Sequence, residues 1–200
     1  MTGKRPLLLA VALAIALSLT GCGSVFTRVD PAAVVVRKSM EVDAGEAWNR
    51  FTPNGGSHRE VWTQHGVALD TLTYFAGVAD GDPLDDLAPR DRKPPAFRAS
   101  MSAEDVVALT ETMLAGNGGR FELLTLEPAE VSGAEGFRFG FHYIARSEEV
   151  ERSGIATGAI VDRRLYLMMF AAPRGHYYDR GAAEATRLMD SLRILPAASR

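Results

Sequence analysis

The segment from residue 136 to 146 restricts the fold more than any other part of the sequence, because its side chains alternate strictly. Aromatic residues stand at every second position, namely Phe137, Phe139, Phe141 and Tyr143. Neighbouring side chains of a β-strand point to opposite faces, so this spacing predicts a strand with one aromatic face packed on a core. The other face of the strand then consists of Arg138, Gly140, His142 and Ile144.

Three further segments nearby have strand character: residues 121–127, Arg152–Val161 and 165–172. Polar turns at 147–149 and 162–164 connect the later strands, so the four segments together predict an antiparallel meander. The segment 165–172 (LYLMMFAA) is apolar on both faces. It is therefore predicted to be a central strand that is covered on both sides.

Two helices are predicted beside these strands. Ser102-Ala103-Glu104-Asp105 has the pattern of a capping box, in which Ser102 and Asp105 bond to each other's backbone amides. Helical spacing predicts an inward face of Val106, Leu109, Thr110 and Met113, and Gly116 or Asn117 ends this helix. The second helix is predicted over 180–192, with inward residues Ala185, Leu188, Met189 and Leu192.

Residues 32–51 are predicted to contain one strand and one short helix. The strand covers 32–37 (AAVVVR), where β-branched residues are frequent. Asp43 is a suitable N-cap for a helix over 44–51, and the sequence PNGG at 53–56 ends it.

A hairpin and a long loop follow. Residues 59–64 and 67–78 are rich in β-branched and aromatic side chains, and the chain turns between them near His65 and Gly66. Residues 79–100 contain four prolines and no regular pattern. A loop of this length is typically either functional or disordered.

Charge is unevenly distributed along this loop. Asp80, Asp82, Asp85 and Asp86 precede the basic residues Arg90, Arg92 and Lys93. The carboxylates offer hard oxygen ligands for calcium, but the spacing of an EF-hand that ends in Glu is absent. The favoured interpretation is a solvated acidic loop.

The order of elements predicts an α+β fold in a single domain, residues 32–200, with a mostly antiparallel sheet flanked by helices. Residues 136–195 resemble the Mog1/PsbP-like domains, which include bacterial DcrB-type lipoproteins. The resemblance depends on the meander, on the strand ending in Phe170-Ala171-Ala172-Pro173, and on a closing helix with Met189-Asp190-Ser191-Leu192. It implies an α/β/α sandwich that serves as a binding or accessory module, and it supplies no catalytic residues.

The first 21 residues have the organisation of a bacterial lipoprotein signal peptide. Lys4 and Arg5 precede an apolar segment, residues 7–19, which is too short to span a bilayer of about 30 Å as a stable helix. Leu19-Thr20-Gly21-Cys22 resembles the lipobox, which implies cleavage before Cys22 and attachment of lipid to its sulfur. The alternatives are an ordinary signal peptide with a chance cysteine and an uncleaved anchor helix.

The lipobox resemblance also predicts a location. Residues 22–31 are interpreted as a lipidated tether, which makes membrane lipid one partner of the protein. No Asp follows Cys22, and this favours the inner leaflet of the outer membrane over retention in the inner membrane. A further partner is expected, either an envelope protein or a small ligand.

Cysteine content and charge exclude several classes of function. Cys22 is the only cysteine, so the lipidated protein has no disulfide, no free thiol and no thiolate metal ligand. Acidic residues number 25 and basic residues 22, and there is no basic run with interspersed aromatic residues. We therefore predict no nucleic-acid binding.

Histidines and aromatic residues are the remaining candidates for a functional site. His58, His65, His142 and His176 are the histidines, and two of them with Asp70 could bind zinc, although their spacing matches no ligand signature. For the aromatic candidates, which are Trp48, Trp62, Tyr177 and Tyr178, the alternative is a place at the edge of the core. The predicted ligand or partner surface consists of Trp62, His65, Asp80, Asp82, His176 and Tyr177. No catalytic residue, metal site or cofactor is predicted.

Catalytic motifs do not decide the function. The sequence contains no G-x-S-x-G, H-E-x-x-H, Walker A or G-x-G-x-x-G, and the G-x-x-x-G match from Gly154 to Gly158 lies in a strand pattern. The favoured hypothesis is a non-enzymatic binding or assembly module that faces the periplasm, and the alternative is a lipid-anchored hydrolase or metal-dependent enzyme. A pocket that brings His58, His65 and Asp70 within hydrogen-bonding reach would favour the enzyme.

Overall fold

The computed structural model describes residues 25–51, 58–84, 94–116, 118–146 and 148–196. The signal peptide, Cys22, the turn at 53–56 and the charged residues Asp85, Asp86, Arg90, Arg92 and Lys93 lie outside these ranges. The strands are β1 (Phe26–Val29), β2 (Ala32–Val36), β3 (Met40–Ala44), β4 (Trp48–Phe51), β5 (Arg59–Thr63), β6 (Thr71–Ala79), β7 (Arg120–Val131), β8 (Ala134–Ile144), β9 (Arg152–Val161), β10 (Arg164–Pro173) and β11 (Arg193–Ile194). The helices are α1 (Ala103–Leu114) and α2 (His176–Asp190).

Most of these strands form one large antiparallel sheet. Its eight strands lie in the order β1-β4-β5-β6-β10-β9-β8-β7. The strands β7 to β10 are consecutive in sequence and adjacent in space, which confirms the predicted meander. A smaller sheet has the order β11-β3-β2 and packs against one face of the large sheet.

Strand β10 separates two hydrophobic cores. Leu165, Leu167 and Met169 face the core that contains residues of α1, here called the α1-side core. Met168 and Phe170 face the core that contains α2 and the smaller sheet, here called the α2-side core. Because a strand presents alternate residues to opposite faces, an apolar run fits only a strand that is covered twice. The predicted α+β fold with a central β10 is confirmed.

Helix α1 begins at the predicted capping box. The Asp105 amide donates to Ser102 Oγ at 3.3 Å, and the Ser102 amide donates to Asp105 Oδ2 at 3.0 Å. The helix buries Val106, Leu109 and Thr110 as predicted. It ends before Gly116, whose φ of 56° continues the chain in the left-handed region.

We expect Ser102→Ala to lower the free energy of unfolding by about 1 kcal/mol, because it removes one partner of the capping box. Urea denaturation followed by circular dichroism measures this loss. Thr112→Ala is the control, since the exposed Thr112 hydroxyl bonds within the same helix to the Ala108 carbonyl. Equal stability of both variants would show that the cap contributes nothing.

The prediction of a helix over 44–51 is wrong. Residues Met40–Ala44 and Trp48–Phe51 form β3 and β4, which pair with β2 and with β1 and β5 respectively. Trp48 is fully buried in the α2-side core. Pairing with other strands therefore outweighs the local helix propensity of residues 44–51.

The predicted tether over 22–31 is wrong for residues 26–29, which form β1 and pair with β4. The second helix also begins earlier than residue 180, at His176, because Gly175 with a φ of 92° turns the chain directly after Pro173. Among the described residues, no helix is long and apolar enough to cross a membrane.

Candidate functional site

The turn between β5 and β6 is organised by one buried carboxylate. Asp70 is 2% exposed and accepts hydrogen bonds from the Thr63 hydroxyl at 2.5 Å, the Gln64 amide at 3.0 Å and the His65 amide at 2.9 Å. The Gly66 amide in turn donates to Thr63 Oγ1 at 2.8 Å, and Gly66 has a φ of 105°. These bonds satisfy the backbone groups of the turn and fix its shape.

The same carboxylate orients the His65 ring. Nδ1 of His65 lies 3.2 Å from Asp70 Oδ2, and the His65 side chain is 35% exposed. A carboxylate oxygen accepts, so this contact fits a hydrogen bond that Nδ1 of His65 donates to Asp70.

Tyr177, in the first turn of α2, lies beside His65, and His176 lies beside Tyr177. The ring centroid of Tyr177 is 5.8 Å from that of His65 and 5.3 Å from that of His176, each in an edge-on arrangement. His176 is exposed and Tyr177 is half-buried. We call this group the His65–Tyr177–His176 cluster; it brings together three of the predicted surface residues.

The cluster forms because of the strand order. Thr71, at the start of β6, pairs with Ala171 near the end of β10, so the turn before β6 lies next to the segment that leads into α2. Chemically the cluster offers two imidazole rings and a phenol, which can donate and accept hydrogen bonds and stack on a partner group.

The other three predicted surface residues do not join the cluster. Trp62 is fully buried, so its assignment to a surface is wrong; its ring packs 4.8 Å from Tyr74 under α2 and the smaller sheet. Asp80 binds the Ala99 amide at 3.0 Å and Arg163 at 3.3 Å, at the opposite end of β6. Asp82 is exposed near Asp80, where its backbone pairs with Phe97.

The arrangement that would favour an enzyme is not formed. A ring nitrogen of the buried His58 lies 3.3 Å from the Leu84 carbonyl, at the other end of β5 from the His65–Asp70 pair. His142 instead lies 3.0 Å from the Ser153 hydroxyl on β9. Across the described ranges, no group of three or more His, Cys, Asp or Glu side chains could hold a metal ion.

The structure also contains a buried charged group that the sequence prediction missed. Glu60, whose side chain is 8% exposed, accepts from the Trp62 indole at 2.7 Å and pairs with Arg50 at 2.7 Å and Arg37 at 3.6 Å. We call Glu60, Arg37, Arg50 and Trp62 the Glu60 cluster. Glu60 and Trp62 are two residues apart and therefore lie on the same face of β5. This spacing was the signal in the sequence from which their proximity could have been predicted.

Burial also affects the ionisation of Tyr74, which lies next to the Glu60 cluster. Tyr74 is fully buried beside Trp62, and burial raises the pKa of its phenol well above the ordinary value. The negative charge of Glu60 raises the pKa of Tyr74 further, and Arg50 acts in the opposite direction. Tyr74 is therefore neutral at physiological pH and belongs to the structural core.

We expect Asp70→Asn to lower the free energy of unfolding by about 2 kcal/mol. An amide nitrogen, which cannot accept a hydrogen bond, replaces one of the two carboxylate oxygens that accept hydrogen bonds in this buried turn. Thermal and urea denaturation measure the loss. The control is Asp30→Asn, since Asp30 is exposed and pairs with the exposed Arg28. Unchanged stability of the Asp70 variant would mean that the turn does not depend on this carboxylate.

Comparisons with known proteins identify a fold. No protein-family model matches the chain, and no curated protein matches it. Among solved structures, cyanobacterial PsbP from Synechocystis sp. PCC 6803 has a TM-score of 0.54 at 13% identity, over 89% of this chain and 99% of that one. The Ran-binding protein Mog1p of Saccharomyces cerevisiae has a TM-score of 0.47 at 8% identity, over 84% and 95% of the two chains.

A third solved structure is LpqN of Mycobacterium tuberculosis, described as involved in cell envelope biogenesis. Its TM-score is 0.37 at 12% identity, over 89% of this chain and 88% of that one. At these identities the similarity to PsbP concerns the fold alone. The chain therefore has the Mog1/PsbP-like fold that residues 136–195 led us to expect.

Proposed function

We propose that this protein is a lipid-anchored, non-enzymatic module of a bacterial envelope that binds a partner through the His65–Tyr177–His176 cluster. The observation that carries the proposal is the cluster itself: an exposed His176 and a half-buried Tyr177 on a helix end, beside a His65 that Asp70 holds in place. Side chains that are exposed, aromatic and rigidly supported are typical of contact surfaces.

The same geometry argues against the hydrolase alternative. Asp70 could orient His65 as a catalytic base, but its oxygens are used by the Thr63 hydroxyl and by two backbone amides of the turn. His58 is bound at the other end of β5. An Asp–His pair that completes a turn has a sufficient structural role without catalysis.

Lipid anchoring would hold the folded domain close to the membrane. Only Gly23, Ser24 and Val25 separate Cys22 from the first residue of β1. Four residue steps span at most about 14 Å, so a lipidated Cys22 would keep β1 near the headgroups. Such a short connection suits a partner in or beside the membrane, and we propose the inner leaflet of the outer membrane.

Site-specific photo-crosslinking in cells tests the contact surface. A benzophenone amino acid at position 176 should form one reproducible product with an envelope protein, and His65→Ala should reduce its yield. The matched control is the same amino acid at the exposed position 82, at the opposite end of β6, where we expect no such product. Equal products at both positions, or a product only at position 82, would contradict the proposed surface.

A further inference from the structure

Strand β7 forms one edge of the large sheet. It is the last strand in the sheet order and pairs with β8 along its whole length. Within the described residues, no strand pairs with the other side of β7. Every second residue of an edge strand directs its backbone N–H and C=O groups outward, so a strand of 12 residues is a template for pairing with another chain.

Two adjacent leucines in the middle of β7 are exposed. Leu123 is 43% exposed and Leu124 is 48% exposed. The register with β8 shifts between Leu123 and Thr125, so Leu124 is the extra residue of a β-bulge. Leu123 lies opposite Phe141, which faces the α1-side core. Apolar side chains beside an open strand edge favour contact with a further strand.

The same edge contains features that restrict which strand can pair with it. Pro128 has no N–H group, so a continuous ladder cannot extend through it. Glu122 and Glu127 are exposed, and a register that placed them opposite acidic residues would be destabilised by repulsion. A suitable partner therefore pairs with residues 120–127 and places no acid opposite these two.

A second copy of β7, running antiparallel to the first, meets these restrictions. In the register that centres on the bulge, the opposed residues are Arg120 and Glu127, Phe121 and Leu126, Glu122 and Thr125, and Leu123 and Leu124. Each acid then lies opposite a basic or a neutral residue. Pro128 follows the last opposed residue, where the pairing ends.

The bulge makes the two faces of the strands agree in this register. Phe121 and Leu126 lie opposite Tyr143 and Phe139 of β8, so both are on the α1 side. Glu122 and Thr125 lie opposite His142 and Gly140, so both are on the other side. Opposed residues of neighbouring strands share a face, and without the bulge these pairs would not.

We propose that two copies of this protein associate by antiparallel pairing of residues 120–127 of β7, which joins their large sheets into one. The contact is two-fold symmetric, so the pair of Arg120 with Glu127 forms twice, once at each end of the paired segment. Opposite charges directly across two strands stabilise the pairing, and the leucines of both copies bury one another at its centre.

This interface differs from the partner surface proposed above. It shares no residue with the His65–Tyr177–His176 cluster, and it requires neither lipid nor another protein. The paired segment is shorter than the roughly 20–30 residues a side of a standard interface. We therefore expect a reversible dimer whose amount depends on protein concentration.

Disulfide formation between two single variants tests the register. Cells that produce full-length Arg120→Cys and Glu127→Cys proteins together are treated with copper phenanthroline, and mass spectrometry identifies the disulfides. Opposed Cα atoms of an antiparallel pair are about 5 Å apart, so a disulfide should join position 120 of one copy to position 127 of the other. Two copies of position 120 are about 20 Å apart in this register, so they should not be joined. Absence of the 120–127 disulfide, or an equal amount of a 120–120 disulfide, would overturn the proposal.

Charge reversal tests the ion pairs with an independent readout. A benzophenone amino acid at position 124 of the full-length protein should crosslink two copies in cells. Arg120→Glu should lower the yield of this dimer about tenfold, because it places two acids opposite each other at both ends of the segment. Adding Glu127→Arg to Arg120→Glu should restore the yield, which also shows that the reversed proteins fold.

The matched control for charge reversal is Arg28→Glu. Arg28 is an exposed residue of β1, at the opposite edge of the large sheet, so its reversal should leave the dimer yield unchanged. An equal loss in this control, no loss in Arg120→Glu, or a double variant that stays monomeric would each contradict pairing through β7.

Discussion

Replacing Gly154 with valine is expected to lower the free energy of unfolding by about 3 kcal/mol or more. A Cβ at this position would lie 2.3 Å from the Phe141 Cζ atom and 2.6 Å from its Cε2 atom. Phe141 is fully buried and cannot move aside, because Phe121 stacks on it at 5.1 Å and Phe139 lies at 5.7 Å. Overpacking a core without room to relax costs about 1–3 kcal/mol and sometimes more.

Urea denaturation followed by circular dichroism measures this change. The control is Gly45→Ala, where the nearest atom to a new Cβ is the end of the Glu184 side chain at 3.3 Å. We expect the control to lose less than about 1 kcal/mol, since a contact of 3.3 Å is relieved by a shift of only a few tenths of an ångström. A Gly154→Val protein as stable as the control would show that the Phe141 ring does not occupy the space beside Gly154.

The second large effect is expected for Glu60→Ala, which should lower the free energy of unfolding by about 3 kcal/mol. The substitution leaves the Trp62 indole without its acceptor and the partly buried Arg37 and Arg50 without their counter-charge. Removal of one member of a buried ion pair costs about 3–5 kcal/mol. We take the lower end because both arginine side chains keep some contact with water.

Glu60→Gln separates charge from hydrogen bonding. The amide oxygen can still accept from Trp62, so this variant should be intermediate in stability. The control is Glu151→Ala, which removes the half-buried partner of the exposed Arg174 and should cost less than about 1 kcal/mol. Chemical denaturation monitored by tryptophan fluorescence gives all three values. Equal losses for the Glu60 and Glu151 variants would contradict a stabilising role for the buried cluster.

The sequence predicted the parts of the fold that local periodicity controls. The alternating aromatic residues of β8 and the apolar run of β10 each determine which face is buried, and adjacent strands with short turns pair with one another. Gly154 and Gly158 also lie in a strand, as predicted, where Gly154 makes room for Phe141. The capping box predicted the start of α1 for the same local reason.

Long-range pairing explains the errors. Residues 44–51 contain helix-compatible side chains, but β4 pairs with β1 and β5, and no local pattern encodes those partners. Trp62 is buried because the smaller sheet and α2 cover its face of β5. A sequence pattern indicates that a strand has two faces, but it does not indicate which layers cover them.

The candidate site was predictable as a set of residues and not as an arrangement. His65, His176 and Tyr177 stood out individually because they flank a turn and a helix start. Their contact depends on the pairing of β6 with β10, which places the two segments side by side. Asp80 directly follows the other end of β6, so the same pairing keeps it away from the cluster.

Mass spectrometry of the protein isolated from membranes tests the central claim, which is that a lipid-anchored module presents this fold at the envelope. We predict that the N-terminal peptide begins at Cys22 and carries the added mass of diacylglycerol on its sulfur. A Cys22→Ala protein should lack this modification and should no longer be found in the membrane as the processed form. An N-terminal peptide that retains Met1, or one with an unmodified Cys22, would contradict the account.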